Sequence, residues 1–125
     1  MNRTILMVNT EHGWRGGENQ VFLLARDLPA PWQAITVCQP GAPLARRLRD
    51  AGKTVVEVPM SGGGDLLAVR AIRRLVRQHR AMALHAHTSH AHSLCRLAAI
   101  GNAVPLVVTR RANAPVKRGM FSRWK

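Results

Sequence analysis

Acidic side chains are scarce in this chain of 125 residues. Six Asp and Glu stand against nineteen Lys and Arg, sixteen of them Arg, and the net charge is +13. So few carboxylates leave little with which to complete a metal site, while the excess of cations attracts polyanions, anionic membrane surfaces and phosphorylated substrates. Cysteine is nearly absent as well. Cys38 and Cys95 each lie in an apolar element with no Cys-x-x-Cys spacing, which excludes a disulfide framework and reads as two buried thiols of a reduced compartment. There is no Tyr, and three Trp with two Phe make a poor stacking platform, which disfavours nucleic acid as a partner. No apolar run approaches the ~20 residues of a membrane span, and the four-residue run from Ile5 to Val8 is too short for a signal-peptide core. The expectation is a cytoplasmic protein.

What is present is a regular alternation of strand and helix. Apolar content of 46% excludes disorder and suits one domain with a real core. Strands are predicted at 4–9, 33–38, 54–58, 82–86 and 105–109. A helix over about 18–28 turns Val21, Leu24, Ala25 and Leu28 inward at helical spacing, and Pro29 and Pro31 end it. Pro43 opens a short helix with Leu44 and Leu48 four apart, and Gly52 stops it. After a loop over 59–64, Asp65 caps a helix whose inner stripe reads Leu66, Val69, Ile72, Leu75 and Val76, with Arg70, Arg73, Arg74 and Arg77 outside that stripe. A fourth helix, from about His90 to Ile100, carries Leu94, Leu97 and Ala98 inward. Such alternation with short connections implies a doubly wound parallel α/β sheet with right-handed crossovers. Ligands of these sheets bind beyond the carboxyl ends of the strands. The loops at 10–17, 39–43, 59–64, 87–91 and 110–115 meet there and hold nearly every unusual residue of the chain.

Three groups stand out at that edge. Trp14-Arg15-Gly16-Gly17-Glu18 forms the first strand-to-helix turn. Its glycines leave amides bare at a helix N-terminus, which suits phosphate or carboxylate. The bland reading is a tight turn with Glu18 well placed in the first helical turn. The functional one sets Glu18 on the cleft floor, accepting from a substrate hydroxyl. The run from His85 to His92 holds four imidazoles in eight residues. On a strand His85 and His87 share a face and can ligate one metal, and the spacing is similar to that of metallo-β-lactamase-type hydrolases, except that Ser89 stands where those carry Asp. A buried His85 beside polar helix-start residues is the plain alternative. The preferred reading sets His87 and His90 at the cleft, as hydrogen-bonding or proton-transferring groups near neutral pH. Arg110 and Arg111 leave the fifth strand as a pair of planar forks for phosphate or carboxylate, or as a solvated pair.

The order of these motifs resembles glycosyltransferase family 4. An Arg-Gly-Gly-Glu turn comes first, then Pro40-Gly41-Ala42-Pro43-Leu44, then Val56-Glu57-Val58-Pro59-Met60, then the histidine run, then Val104 to Arg111. The resemblance covers essentially residues 1–125 and implies the N-terminal, acceptor-side, Rossmann-like half of a GT-B fold, with strand order about 3-2-1-4-5. It implies transfer of a sugar from a nucleotide-sugar donor, with retention of configuration, no cofactor and no essential metal, to a glycan or lipid-linked acceptor such as those of lipopolysaccharide and other cell-envelope glycans. By the same resemblance Gly16, Gly17 and Glu18 lie near donor phosphates and acceptor, His85 and His87 match the family's His-x-His, and Arg110 and Arg111 face the interdomain cleft. His87 and Glu18 are then the candidate catalytic residues, and Gly16, Gly17, His85, His90, Arg110 and Arg111 the candidate substrate-binding ones.

There are departures. Arg15 stands in place of the first glycine of the common Gly-Gly-x-Glu motif, and Arg111 in place of a histidine found in many relatives. The Glu-x7-Glu motif of a donor-binding C-terminal domain is missing, so the chain reads as half an enzyme, inactive alone. The basic charge suits peripheral contact with the inner face of a membrane. Two other readings stay open: a non-catalytic basic domain that binds nucleic acid or an anionic membrane, and a metal-dependent hydrolase built on His85–His92.

Overall fold

The structure is a computed structural model that describes residues 3–101 and 104–109. Its elements run β1 (Arg3–Val8), α1 (Gly16–Asp27), β2 (Trp32–Cys38), α2 (Pro43–Asp50), β3 (Thr54–Glu57), α3 (Leu66–His79), β4 (Ala83–Ala86), α4 (Ser89–Ala98) and β5 (Leu106–Val108). All the strands pair in parallel, in the order β3-β2-β1-β4-β5, as expected. Leu6 at the centre pairs with Ile35 on one side and Leu84 on the other.

Alternation along each strand divides the core in two. Leu6, Val8, Ile35, Val37, Leu84 and Ala86 point to one side, where Ile72, Leu75 and Val76 of α3 and Leu94 of α4 meet them. Met7, Ala34 and Cys38 point to the other, against Val21 and Ala25 of α1 and Leu44 and Leu48 of α2. Helices on both sides explain why the strands are nearly continuous apolar runs. The two cysteines lie in opposite halves of this core, free and buried. Burial pushes both thiols up to about 12, so neither is a nucleophile at neutral pH.

Local chemistry sets the helix ends. Pro43 starts α2, and Gly52 follows it at φ 75°, a conformation that costs glycine little. Asp65 caps α3, its carboxylate accepting from Leu67 N and Ala68 N at 3.1 Å each and from Ser61 N and Oγ at 3.1 and 3.0 Å. These donors, Ser61 N foremost, hold the Asp65 carboxyl below its ordinary value of 3.8. A carboxyl depressed by folding stabilises the fold above its unfolded value and loses that contribution as pH falls through the folded one. Asp65→Ala should therefore lower the thermal midpoint at neutral pH, and the gap between variant and parent should close in scans run progressively below pH 3.8.

Periodicity misplaced three leucines. Leu66, expected inside α3, is 69% exposed, because at 3.6 residues per turn it falls beside exposed Arg70 and Arg77, at the margin of the arc that buries Ala68, Val69 and Ile72. Leu24 and Leu97 are also exposed. They flank the residues that those helices bury, Val21 and Ala25 of α1 and Ala91, Leu94, Cys95 and Ala98 of α4. The glycine turn differs as well: α1 begins at Gly16, two residues early, so both glycines belong to its first turn.

The loop before α3 touches α4. A Cβ added to Gly63 would lie 2.8 Å from Ser93 Cβ and 3.1 Å from its Oγ. Gly63→Ala should destabilise the protein by about 1–3 kcal/mol through overpacking, and urea unfolding of the two proteins measures it. A combined Gly63→Ala/Ser93→Gly variant should recover most of the loss.

Candidate functional site

The switch from one sheet side to the other falls between β1 and β4, and the carboxyl ends of the parallel strands there are where sheets of this kind hold their ligand crevice. The ladder continues past the strand ends and holds the crevice residues in register. Asn9 N donates to Val37 O at 3.0 Å, His87 N to Val8 O at 3.0 Å, and Thr109 N to Ala86 O at 2.9 Å. Across the crevice Thr10 Oγ1 and Thr88 Oγ1 share a hydrogen bond of 2.6 Å. Thr88 is also the N-cap of α4, accepting from Ala91 N at 3.2 Å. The N-termini of α1 and α4 thus both open onto one edge, and their dipoles favour an anion there.

Glu18 lies at the third position of α1 and is 4% exposed. One carboxylate oxygen accepts from Arg15 N at 3.0 Å, the reciprocal half of a helix-start box. The other accepts from Asn9 Nδ2 at 3.4 Å. Asn9 Oδ1 accepts in turn from Glu11 N at 2.9 Å. The carboxylate therefore ties the glycine turn to the end of β1. Trp14 pins the same loop from outside: its ring meets Phe22 edge-on at 6.2 Å, and the Arg47 guanidinium of α2 lies 4.2 Å from its centroid.

His87 follows β4 and is 3% exposed. Its ring stacks on that of His85 at 3.9 Å and 36°, and His85 Nε2 bonds Thr109 Oγ1 at 2.6 Å. His85 pairs in register with Met7, so both imidazoles lie on the side of α1 and α2. His90 stands exposed in the first turn of α4. The structure thus brings Gly16, Gly17, Glu18, His85, His87 and His90 to one edge, while Arg110 and Arg111 lie outside the described residues. Among the described residues no three His, Cys, Asp or Glu side chains converge as metal ligands, so the hydrolase reading of the histidine run finds no metal cage there.

One residue of this edge had no motif to announce it. Gln39, just past β2, is buried and joins three loops. Its Nε2 donates to Thr10 O at 3.0 Å and Met60 O at 2.5 Å, and its Oε1 accepts from Met60 N at 2.9 Å. The only advance sign was a polar residue closing an apolar strand.

Residues 15–125 match the glycosyl transferase 4-like domain. The chain belongs to that family. No curated relative matches the sequence. Among solved structures this glycosyl transferase 4-like chain is similar to a glycosyltransferase from Rickettsia africae, with TM-score 0.76 and 15% identity over 98% of this chain and 33% of that one. It is also similar to MurG of Acinetobacter baumannii, with TM-score 0.70 and 18% identity over 97% of this chain and 39% of the other. A third match is HepE of Anabaena, solved with UDP and glucose, with TM-score 0.68 and 17% identity over 86% of this chain and 29% of that one. The family and the strand order establish a Rossmann-like N-terminal half of the GT-B architecture. The chain spans about a third of the length of these relatives. No helix among its described residues is long and apolar enough to cross a membrane.

Proposed function

We propose that this chain is the acceptor-side half of a retaining glycosyltransferase that moves a sugar from a nucleotide-sugar donor to a cell-envelope glycan or lipid-linked acceptor. One observation carries the reading: in a chain of the glycosyl transferase 4-like family, the starts of α1 and α4 and the two stacked imidazoles share the β1–β4 crevice. HepE of Anabaena, a relative in fold, was solved with UDP-glucose. In the proposed reaction the bond from the anomeric carbon to the diphosphate breaks and a bond to the acceptor oxygen forms on the same face. The acceptor proton leaves with the help of an enzyme group or the departing phosphate.

Residue roles follow from position. Amides at Gly16 and Gly17 face diphosphate charge, and the same task for Arg110 and Arg111 rests on the family resemblance alone. His87, steadied by His85, serves the acceptor hydroxyl, and His90 binds at the rim. Glu18 positions the glycine turn. A second, donor-gripping domain completes the enzyme, so this half alone turns over weakly or not at all.

An amide NMR titration of the chain with UDP-sugars and with glycan acceptors tests the reading. Shifts should concentrate at Gly16, Gly17, Thr88, Ser89 and His90. Shifts confined to the arginines of α3, or none with any donor or acceptor, would sink it.

A further inference from the structure

Arg15 is the wrong residue for the place it holds in the fold. It is the N-cap of α1, where Ser, Thr, Asp or Asn would accept a hydrogen bond from the open amides of the helix. A guanidinium has only donors, and the Arg15 side chain makes no cap bond. Its charge also sits by the positive end of the helix dipole. The bond that does close this turn, from Arg15 N to Glu18 at 3.0 Å, uses the backbone alone. The backbone is extended, at φ −132° and ψ −174°, so a side chain stands there without strain. A local rule broken with no gain to the fold marks a functional position.

No carboxylate of the chain neutralises it. All six acids are among the described residues. Asp27 and Glu57 pair with Arg26 and Arg49, and Asp65 is taken up by Ser61 and the amides that start α3. Glu18 is buried on Arg15 N and the Asn9 amide. Glu11 and Asp50 form no ion pair among the described residues. The Arg15 side chain is exposed. A second donor belongs to the same loop. Asn9, which shares the Glu18 carboxylate with Arg15, precedes Thr10. The hydroxyls of Thr10 and Thr88 carry two hydrogens, and their shared bond of 2.6 Å uses one. Thr88 Oγ1 spends only a lone pair on Ala91 N. Among the described residues nothing takes the other hydrogen, although Thr10 is only 8% exposed, and a hydroxyl hydrogen kept from water and left without an acceptor is costly.

We propose that this edge reads a negative charge on the acceptor sugar, a carboxylate or a phosphate monoester, with the Arg15 guanidinium as the cation and the spare hydrogen of the Thr10–Thr88 pair as a second donor. The proposal rests on the sugar-transfer reading above and adds the substrate class: an acidic glycan in place of a neutral one. The planar guanidinium fork matches the paired oxygens of either group. The acceptor is the substrate concerned, because in that reading the amides of Gly16 and Gly17 already take the donor diphosphate. That leaves the side chain one residue before them to the other substrate. A neutral sugar would bind beside an unanswered cation and forgo a charge-assisted hydrogen bond, which is about twice as strong as a neutral one.

Amide NMR titrations of the whole chain with glucose, glucuronate, glucose 6-phosphate and UDP test it. Glucuronate and glucose 6-phosphate should shift the amides of Arg15 to Glu18 and of Thr88 and Ser89, and bind about tenfold more tightly than glucose. Arg15→Gln keeps the backbone bond to Glu18. It should erase that preference while leaving the UDP shifts at Gly16 and Gly17 in place. Arg70→Gln removes the same charge from an exposed site on α3 and should change nothing. Equal binding of glucose and the two acids, a preference that survives Arg15→Gln, or one that Arg70→Gln weakens as much overturns the proposal. Loss of UDP binding in Arg15→Gln in step with loss of glucuronate would also overturn it, by giving the arginine to the donor. UDP shifts at the glycines without any preference for acidic sugars would remove this inference alone. No shift at the edge with UDP or any sugar would remove the sugar-transfer reading and this one with it.

Discussion

Gln39→Leu should cost about 3–5 kcal/mol of folding stability, a large share of the ~5–15 kcal/mol of an ordinary domain. The substitution keeps the bulk and removes the amide. Met60 N–H, Met60 C=O and Thr10 C=O then lose their partner, and each polar group stranded in the interior costs about 1–3 kcal/mol, less whatever entering water recovers. The amide has a single workable orientation, because two of its partners accept and one donates. Gln39→Glu should therefore also destabilise: it keeps an acceptor for Met60 N–H but sets a carboxylate oxygen against two carbonyls. Urea unfolding followed by circular dichroism measures both. Hydrogen exchange adds a spatial test, since protection should fall first in the loops after β1, β2 and β3 and later in the strands. A loss below about 1 kcal/mol for Gln39→Leu would show that those loops are held by something else.

In an active polypeptide that contains this domain, His87→Ala should lower sugar transfer by about 10²–10⁴-fold if the imidazole handles the acceptor proton. The loss should appear in kcat, with the acid limb of the pH profile altered. Glu18→Ala should act differently. Its carboxylate holds Arg15 N–H and the Asn9 amide, so its removal loosens the glycine turn and the amides at the start of α1. A misplacement of ~1 Å costs on the order of 10²-fold in rate. Here Glu18→Gln is informative: a carbonyl oxygen can still accept from Arg15 N, while its NH₂ faces the Asn9 NH₂ and forces one amide to turn. A positioning role predicts partial rescue by Gln with an unchanged pH profile. Complete loss with Gln, matching the loss with Ala, would make Glu18 a proton-handling group. Wild-type rates in His87→Ala would remove that residue from the mechanism.

The candidate edge was legible because strand ends, glycines and polar clusters are local features. A run such as Ile35 to Cys38 can only be a buried strand, Pro43 and Gly52 bracket a helix wherever it lies, and parallel connection requires every following loop to reach the same edge. The histidine run was visible for the same reason. Its internal arrangement was not, since stacking of His85 on His87 depends on where the strand stops and which side of the sheet is covered.

Sequence by itself determined the alternation of elements, the two-sided core and the gathering of the glycine turn and histidines at one edge. These follow from hydrophobic period, turn chemistry and the handedness of crossovers, all of which act over a few residues. Only the tertiary structure decided which polar groups meet. Gln39 reaches Met60, 21 residues away, and Thr10 reaches Thr88, 78 residues away, because register and strand order bring the loops together. It also decided that Leu66, apolar and three residues from Val69 of the buried stripe, ends up outside. Ala68 and Val69 of the same first turn are buried, so Leu66 sits at the margin of the buried arc, and nothing local to the helix records how far its neighbours reach over that margin.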